Sequence, residues 1–165
     1  MPWYEFIMNQ LLLLDHNNPF KLFAPQRGRR KGKRPLSSRH PIHIILKSKS
    51  CDLKRKEREI LRWWAIFGSK FGVKSYQIVV NLDHVHAIVR LHSPRLFTPF
   101  IRALAGTIAR CLKVKWRGRP ATRIATWGRD FKRLVKYLKL NFLEANGFLD
   151  YEPARTRRLP HWLKL

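Results

Sequence analysis

The sequence predicts an α+β domain in which a small antiparallel sheet packs against helices, of the ferredoxin-like or RRM-like class. Two observations lead to this prediction. The length of 165 residues suits one domain with a real core. From about residue 40 onward, hydrophobic patterns follow in the order strand, helix, two strands, helix and helix, with room for a fourth strand before the last helix.

The first strand and the first helix follow from the spacing of apolar residues. In residues 42 to 47, apolar side chains alternate with a second set that includes His43 and Lys47, which predicts a strand with one buried face. Asp52 is the predicted N-cap of a helix that ends near Gly72. The apolar residues of this helix recur every three or four positions: Leu53, Ile60, Leu61, Trp64, Phe67 and Phe71.

A hairpin is predicted next. Residues 76 to 80 alternate again and stop at the turn-forming cluster Asn81-Leu82-Asp83. The run from His84 to His92 continues as a strand, so we expect the two strands to pair in antiparallel fashion.

Two more helices complete the predicted core. Thr98 followed by Pro99 predicts the start of a helix whose apolar face includes Phe100 and Leu104. The last helix is predicted from about Arg129 to Asn146. Its expected inward-facing residues are Phe131, Leu134, Val135, Leu138 and Phe142.

The composition excludes several classes of protein. A hydrophobic fraction of 45% rules out a wholly disordered chain, and 27% charged residues rule out a polytopic membrane protein. The 35 Lys and Arg residues oppose 10 Asp and Glu, which gives a formal net charge of +25. We therefore expect a polyanionic partner, with nucleic acid before a membrane surface. Two cysteines cannot frame a disulfide-rich fold, which favours a reducing cytosol.

The ends of the chain differ from the core. Residues 1–39 are predicted to form an apolar lead and a disordered basic arm, residues 40–150 the folded domain, and residues 151–165 a basic irregular tail. The lead lacks the basic start of a signal peptide, and no segment reaches the ~18 apolar residues that span a bilayer. The arm is either a DNA-binding segment or a solvated linker. Its candidate DNA-binding residues are Arg27, Arg29, Arg30, Lys31, Lys33 and Arg34.

The first candidate for chemistry is the stretch Asp83-His84-Val85-His86. On a strand the two histidines point to one face while Val85 is buried on the other. Two imidazoles on one face are candidate metal ligands. They are otherwise two surface histidines, since the local sequence offers no nearby cysteine or third histidine.

The second candidate lies on the last predicted helix. Residues four apart share a helix face, so Arg133, Tyr137 and Asn141 form a stripe beside the buried face. Tyr137 is then either a nucleophile or a surface tyrosine half-packed on the sheet. The Asn141 amide oxygen and the two histidines would give three ligands for a hard or borderline divalent ion.

Together the two motifs resemble the HUH endonuclease superfamily, specifically the single-tyrosine transposases of insertion sequences and their REP-associated relatives. His84-Val85-His86 matches the family's His-hydrophobic-His strand, and Tyr137 with Asn141 matches its tyrosine followed four residues later by Gln or Asn. The stretch Trp127-Gly128-Arg129-Asp130-Phe131 matches the motif before the tyrosine helix. The resemblance covers roughly residues 40 to 150. The chain departs at Asp83, where Asn is common, at Asn141, which is shorter than Gln, and in the stretch after Asn141.

The resemblance implies a transposase of the HUH endonuclease fold that cleaves and joins single-stranded DNA at hairpin-containing REP-like or insertion-sequence ends. It implies Mg²⁺ or Mn²⁺ on His84, His86 and Asn141, and attack by Tyr137 to leave a 5′-phosphotyrosine link. Separately from the resemblance, Arg133 and Lys136 are candidate cations that would assist Tyr137, with Arg133 as the expected catalytic residue; Arg133 is otherwise a solvent-facing residue of a basic helix. Asp83 is a ligand, a partner that fixes a histidine tautomer, or a turn residue. Further expected DNA contacts are Arg129, Lys132 and Lys136.

These expectations place the protein in the cytoplasm, associated with the nucleoid, with no membrane partner and with a homodimer as one arrangement. The competing function is a non-catalytic nucleic-acid-binding module of the same fold, either a degenerate transposase or an RNA or single-strand binder. That alternative explains the charge equally well. It does not explain the spacing of His84, His86, Tyr137 and Asn141.

Overall fold

The computed structural model of the chain describes residues 34–49 and 52–149. The predicted lead, most of the basic arm and the tail lie outside these residues. The elements follow in the order β1 (Ile42–Lys47), α1 (Glu57–Lys70), β2 (Val73–Val80), β3 (His84–Leu91), α2 (Phe97–Leu112), β4 (Ala121–Ile124) and α3 (Arg129–Ala145). Short 3-10 turns precede α1 (Leu53–Lys56) and α2 (Pro94–Leu96).

The four strands form one sheet in the order β2-β3-β1-β4, and every neighbouring pair is antiparallel. This arrangement confirms the predicted α+β ferredoxin-like class and the predicted β2–β3 hairpin. β4 fills the place that the sequence left open for a fourth strand before the last helix. The two strands that carry histidines, β1 and β3, are the central pair and run side by side.

Helices cover both faces of the sheet. On one face, apolar residues of α1 and α2 pack against the alternate residues of β1 and β3 that include Ile44 and Ala87. On the other face, Leu134 and Leu138 of α3 pack against Val79 and Ile88. The sequence predicted one buried face for β1, but residues 42 to 46 are buried throughout because α3 covers the second face.

Three details of the helices differ from the sequence prediction. Asp52 precedes a 3-10 turn, and α1 starts only at Glu57. The Asp52 carboxylate forms an ion pair with Lys56. α2 begins at Phe97, just before the predicted Thr98 cap, because the 3-10 turn leads directly into it. The inward orientation expected for Phe142 is wrong: this side chain is 42% exposed.

Residues 34 to 39, predicted as the end of the basic arm, lie against the core. Leu36 packs on the α1/α2 cluster, and the Arg34 guanidinium lies 5.1 Å from the centre of the Phe97 ring. The Ser37 hydroxyl accepts the backbone N–H groups of Arg39 and His40. The compact unit accordingly runs from Arg34 to Phe148. No helix within residues 34–49 and 52–149 is long and apolar enough to cross a bilayer.

Candidate active site

Strand β3 places His84 and His86 on the sheet face that α3 covers. Their neighbours Val85 and Ala87 point into the opposite core, as the alternation of a strand requires. Both imidazoles are buried, with 2% and 0% exposure, and their rings meet edge to face with centres 4.6 Å apart. The prediction that the two histidines share a face is confirmed, and the reading of a surface pair is excluded by this burial.

A third histidine, His43 of β1, joins this pair. Its Nε2 lies 3.0 Å from Nδ1 of His86, and the two rings stack with centres 5.1 Å apart. The sequence around residues 84 and 86 does not predict this contact, because His43 lies more than forty positions away and reaches the pair only through the pairing of β1 with β3. The signal was present: His43 alternates with the buried Ile42 and Ile44, so it lies on the other face of β1.

Both ring nitrogens of His84 have hydrogen-bond partners. Its Nδ1 lies 2.5 Å from Oδ1 of Asp83, and its Nε2 lies 2.7 Å from the Asn81 amide nitrogen. Of the three roles left open for Asp83, the contact corresponds to the partner that orients a histidine ring. Burial alone would raise the pKa of Asp83, but the hydrogen bond and the charge interaction with His84 outweigh it and lower that pKa.

Burial makes the two other imidazoles poor bases. Loss of solvent is the main cause that lowers the pKa of His43 to about 3, with Arg123 and His84 adding to it. The same desolvation, followed by the charges of His84 and His43, holds the pKa of His86 well below its usual value. Both rings are therefore neutral near pH 7, and a neutral imidazole is the form that offers a lone pair.

Helix α3 brings Tyr137 to these rings. The phenol ring is edge-on to His86 with centres 5.7 Å apart, and edge-on to His43 with centres 6.4 Å apart. Leu134 and Leu138, on the same side of the helix, anchor it against the sheet. Residues from β1, β3 and α3, which together span more than ninety positions of the chain, thus share one site.

Asn141 lies one helical turn beyond Tyr137 and is buried, with 4% exposure. Its amide N–H donates to the backbone carbonyl of Tyr137 at 2.8 Å, so the amide nitrogen is directed along its own helix. Arg133, one turn before Tyr137, is exposed. The structure thus groups Tyr137 with the histidines and leaves Arg133 at the surface.

The resemblance implies a divalent ion, and the side chains of the site include several that could bind one. In the described part of the chain, no cluster of three or more His, Cys, Asp or Glu side chains is arranged to hold a metal ion. The predicted set is different, with two histidines and one amide. Nε2 of His86 is buried without a hydrogen-bond partner, and His84 is oriented by a carboxylate as metal-binding histidines commonly are. On these two observations the histidine pair fits the ion.

The predicted DNA-binding residues lie in α3 and in the basic arm, and Arg34 is the only one of those in the arm that is among the described residues. Arg129, Lys132 and Lys136 are exposed on α3 with Arg133, which makes one side of the tyrosine helix basic. Arg34 lies over Phe97 at the start of α2. The remaining predicted contacts, all in the arm before Arg34, lie outside the described residues.

No family model and no curated protein sequence matches the chain. Among solved structures, a REP-associated tyrosine transposase bound to a REP hairpin is similar over 73% of this chain and 76% of its own, with 16% identity and a TM-score of 0.62. A Deinococcus radiodurans R1 protein provisionally described as a transposase is similar over 70% of this chain and 97% of its own, with 15% identity and a TM-score of 0.47. The first likeness confirms the predicted fold. The chain therefore has the fold of a REP-associated tyrosine transposase, from the family that its histidine and tyrosine motifs resemble.

Proposed function

We propose that this protein is a metal-dependent single-stranded DNA endonuclease and strand transferase that acts on hairpin-containing DNA through Tyr137. One observation carries the proposal. The Tyr137 ring packs edge-on against His86, at 5.7 Å between ring centres, in a site that also holds His43 and His84. A tyrosine half-packed on the sheet for stability alone would not need three buried imidazoles beside it.

In the proposed reaction, the Tyr137 hydroxyl oxygen attacks the scissile phosphorus of the DNA strand. A bond forms between that oxygen and phosphorus, and the bond from phosphorus to the 3′ oxygen breaks. The phenol proton is released, and the departing 3′ oxygen takes up a proton to become a hydroxyl. Attack by this or another 3′-hydroxyl on the 5′-phosphotyrosine link reverses the step, because the phenolate is a reasonable leaving group.

His84 and His86 are the residues that would hold the divalent ion, with Asn141 as a third donor. Mg²⁺ or Mn²⁺, when bound, would polarise the scissile phosphate. The chain itself fixes the orientation of the two histidine rings. Asp83 holds Nδ1 of His84, and the bond between His43 and His86 occupies Nδ1 of His86. Nε2 of His86 has no hydrogen-bond partner and is then the nitrogen for the ion, whereas Nε2 of His84 would bind the ion in place of its contact with the Asn81 amide.

The basic side of α3 supports DNA as the substrate. Arg129, Lys132 and Lys136 are exposed along the helix that carries Tyr137. Lysine and arginine on one surface bind the phosphate backbone with little dependence on sequence. The structural neighbour bound to a REP hairpin is consistent with a hairpin partner here.

The proposal is tested by incubating the full chain with an end-labelled single-stranded hairpin oligonucleotide and Mn²⁺, then denaturing it and measuring covalent adduct. Wild type should form adduct, Tyr137→Phe should form none, and both should bind the hairpin within a few-fold, because only the nucleophilic oxygen is removed. Tyr4→Phe and Tyr151→Phe serve as matched controls and should retain adduct. Adduct formation by Tyr137→Phe would overturn the assignment. Binding by wild type without any adduct would indicate the non-catalytic module.

A further inference from the structure

The opposite end of the α3-covered face carries an aromatic cluster that the proposed reaction does not use. Trp127, in the turn between β4 and α3, is 43% exposed, and its indole N–H donates to the Arg39 carbonyl at 2.9 Å. Its ring contacts Tyr76 and Phe131, with centres 5.7 Å and 4.9 Å away. Tyr76 and Phe131 also meet edge-on at 5.4 Å. Tyr76 and Phe131 thus hold the Trp127 indole in place while much of it stays in solvent. We call these three residues the aromatic platform.

Cations without acidic partners lie beside the aromatic platform. Lys74 and Arg90 are directly opposite each other in the β2–β3 pair, and the Lys74 ammonium lies 5.8 Å from the centre of the Tyr76 ring. Like charges at opposed positions destabilise a sheet. Across residues 34–49 and 52–149, no carboxylate forms an ion pair with either side chain. A bound anion would remove this repulsion.

An open groove of about 680 Å³ adjoins the same cations. Lys74, Arg90 and Arg39 line it, together with the C-terminal end of α1 and the start of β2. Gly68 and Gly72 form part of the wall and project no side chain into it. The Arg90 guanidinium is steadied by donating to the Ser38 carbonyl at 3.2 Å. The groove therefore offers room for a ligand next to fixed positive charge.

We propose that this end of the sheet binds an unpaired nucleotide of single-stranded DNA, with its base stacked on Trp127 and its phosphate held by Lys74 and Arg90. A nucleotide combines a flat π-surface with an anion a short distance away, and an exposed indole beside paired cations complements both parts. A free inorganic anion would use the cations but leave the indole without a role. The proposal relies on the proposed function only for the choice of DNA over RNA.

The geometry of β3 relates this surface to the tyrosine site. His86, Ile88 and Arg90 alternate onto the same face of one strand. At about 3.3 Å per residue, Arg90 lies about 13 Å along the strand from His86. Because Leu134 and Leu138 of α3 cover Ile88, a DNA strand that reaches both Tyr137 and the aromatic platform would run along the exposed basic side of α3. The platform would therefore hold unpaired nucleotides that flank the cut.

The test measures binding of the full chain to a fluorescent oligo-dT strand that has no hairpin, with chelator present so that no cleavage occurs. Trp127→Ala should weaken binding about 5- to 100-fold, because loss of one stacked base has this effect. The affinity of Trp127→Phe should lie between those of Trp127→Ala and wild type. The double variant Lys74→Gln/Arg90→Gln should lower the slope of log affinity against log salt by about one unit. Arg102→Gln, which removes an exposed arginine on α2 at the other face of the sheet, is the matched control.

Duplex DNA of the same length and a matching oligo-U strand complete the design. The proposal requires that Trp127→Ala lose more affinity for the single strand than for the duplex, since a paired base cannot stack on the indole. It is overturned if Trp127→Ala and Trp127→Phe both bind like wild type, or if Arg102→Gln matches the double variant. Tighter binding of oligo-U would overturn DNA as the ligand. Thermal unfolding checks each variant, and Trp127→Phe with the double variant decides if Trp127→Ala does not fold.

These outcomes are independent of the tyrosine chemistry. If the oligo-dT results hold while no covalent adduct forms with a hairpin, the platform stands and the proposed catalytic function fails. If adduct forms while Trp127→Ala binds normally, the catalytic proposal stands and the platform fails.

Discussion

The two faces of strand β3 have opposite characters although they share one backbone. The residues that point toward α1 and α2 are Val85, Ala87, Val89 and Leu91, and all four belong to the larger apolar core. The residues that point toward α3 are His84, His86, Ile88 and Arg90, of which only Ile88 is apolar. The face toward α1 and α2, which we call the folding face, is thus a hydrophobic core. The face toward α3, which we call the functional face, carries the groups on which the proposed catalysis and DNA binding rest.

Buried histidines make the α3 face less favourable for stability than an apolar face would be. Burying an imidazole without full hydrogen bonding costs free energy, and Nε2 of His86 is buried with no partner. The bond between His43 and His86 and the bond between His84 and Asp83 offset part of that cost. Apolar residues at His43 and His86 would pack against α3 without this penalty. The polar set on this face is therefore better explained by a ligand than by stability.

The largest expected effect is on stability and concerns the α1/α2 face. Phe100 is fully buried and meets Trp64 edge-on, with ring centres 5.6 Å apart. Phe100→Ala should lower the free energy of unfolding by about 3–5 kcal/mol, through lost burial and the cavity left behind. Denaturant unfolding measures this loss. Phe142→Ala, which truncates a half-exposed ring of α3, is the control and should cost less than about 1 kcal/mol.

If Phe142→Ala destabilised the chain as much as Phe100→Ala, the contrast between a folding face and a functional face would fail. The same holds if Phe100→Ala left the unfolding midpoint unchanged.

The next effect is on catalysis and concerns the α3 face. His84→Ala and His86→Ala should each reduce Mn²⁺-dependent adduct formation by at least about 100-fold, because two ligands on one strand face cannot replace each other. Asn141→Ala should do less damage, since water can replace a neutral amide ligand. Ile88→Val, on the same face of the same strand, is the matched control. Full activity of wild type in the presence of chelator would contradict the metal site.

The sequence predicted the parts of this contrast that depend on local periodicity. Alternation placed His84 and His86 on one face of β3, and the four-residue spacing placed Tyr137 and Asn141 on one side of α3. Both follow from the fixed geometry of strands and helices, which any sequence of the right pattern shares. For this reason the fold class and the order of the elements were also predictable.

What local periodicity could not supply was the pairing between distant elements. The contact of His43 with His86 depends on β1 lying next to β3, with Ile45 opposite His86, and this register is set by the whole sheet. The burial of both faces of β1 depends on α3 crossing the sheet. Phe142 is exposed although its neighbours Asn141 and Leu143 on α3 are buried, because the docking of α3 on the sheet decides which side of the helix is covered. Tertiary context decided each of these points.

The contact that the sequence did not reveal gives the third prediction. Because His43 holds Nδ1 of His86 and touches no substrate in the proposed reaction, it is a positioning residue. His43→Ala should raise the Mn²⁺ concentration for half-maximal cleavage by about 10- to 100-fold. His43→Gln should restore part of the loss, because its terminal amide places an acceptor near the position of Nε2.

A residue with a purely structural role would lower stability without moving the Mn²⁺ dependence. The assay therefore compares the Mn²⁺ titration with thermal unfolding for both His43 variants. Unchanged half-saturation in His43→Ala would remove His43 from the site and leave it as packing.

The smallest expected effect concerns Arg133, on the exposed side of α3. A phenol with an ordinary pKa near 10 needs a cation to become a nucleophile at neutral pH, and Arg133 lies one helical turn before Tyr137. Because Arg133 is exposed, solvent screens its charge, so we expect only about a tenfold fall in single-turnover cleavage for Arg133→Gln at saturating DNA. Arg133→Lys should retain more, since it keeps the charge and loses only the forked donors. Lys139→Gln, also exposed on α3 but outside the stripe of Arg133 and Tyr137, is the control. If both Arg133 variants cleave at the wild-type rate, the activation of Tyr137 comes from the histidine side of the site alone, and the functional face ends at the buried rings.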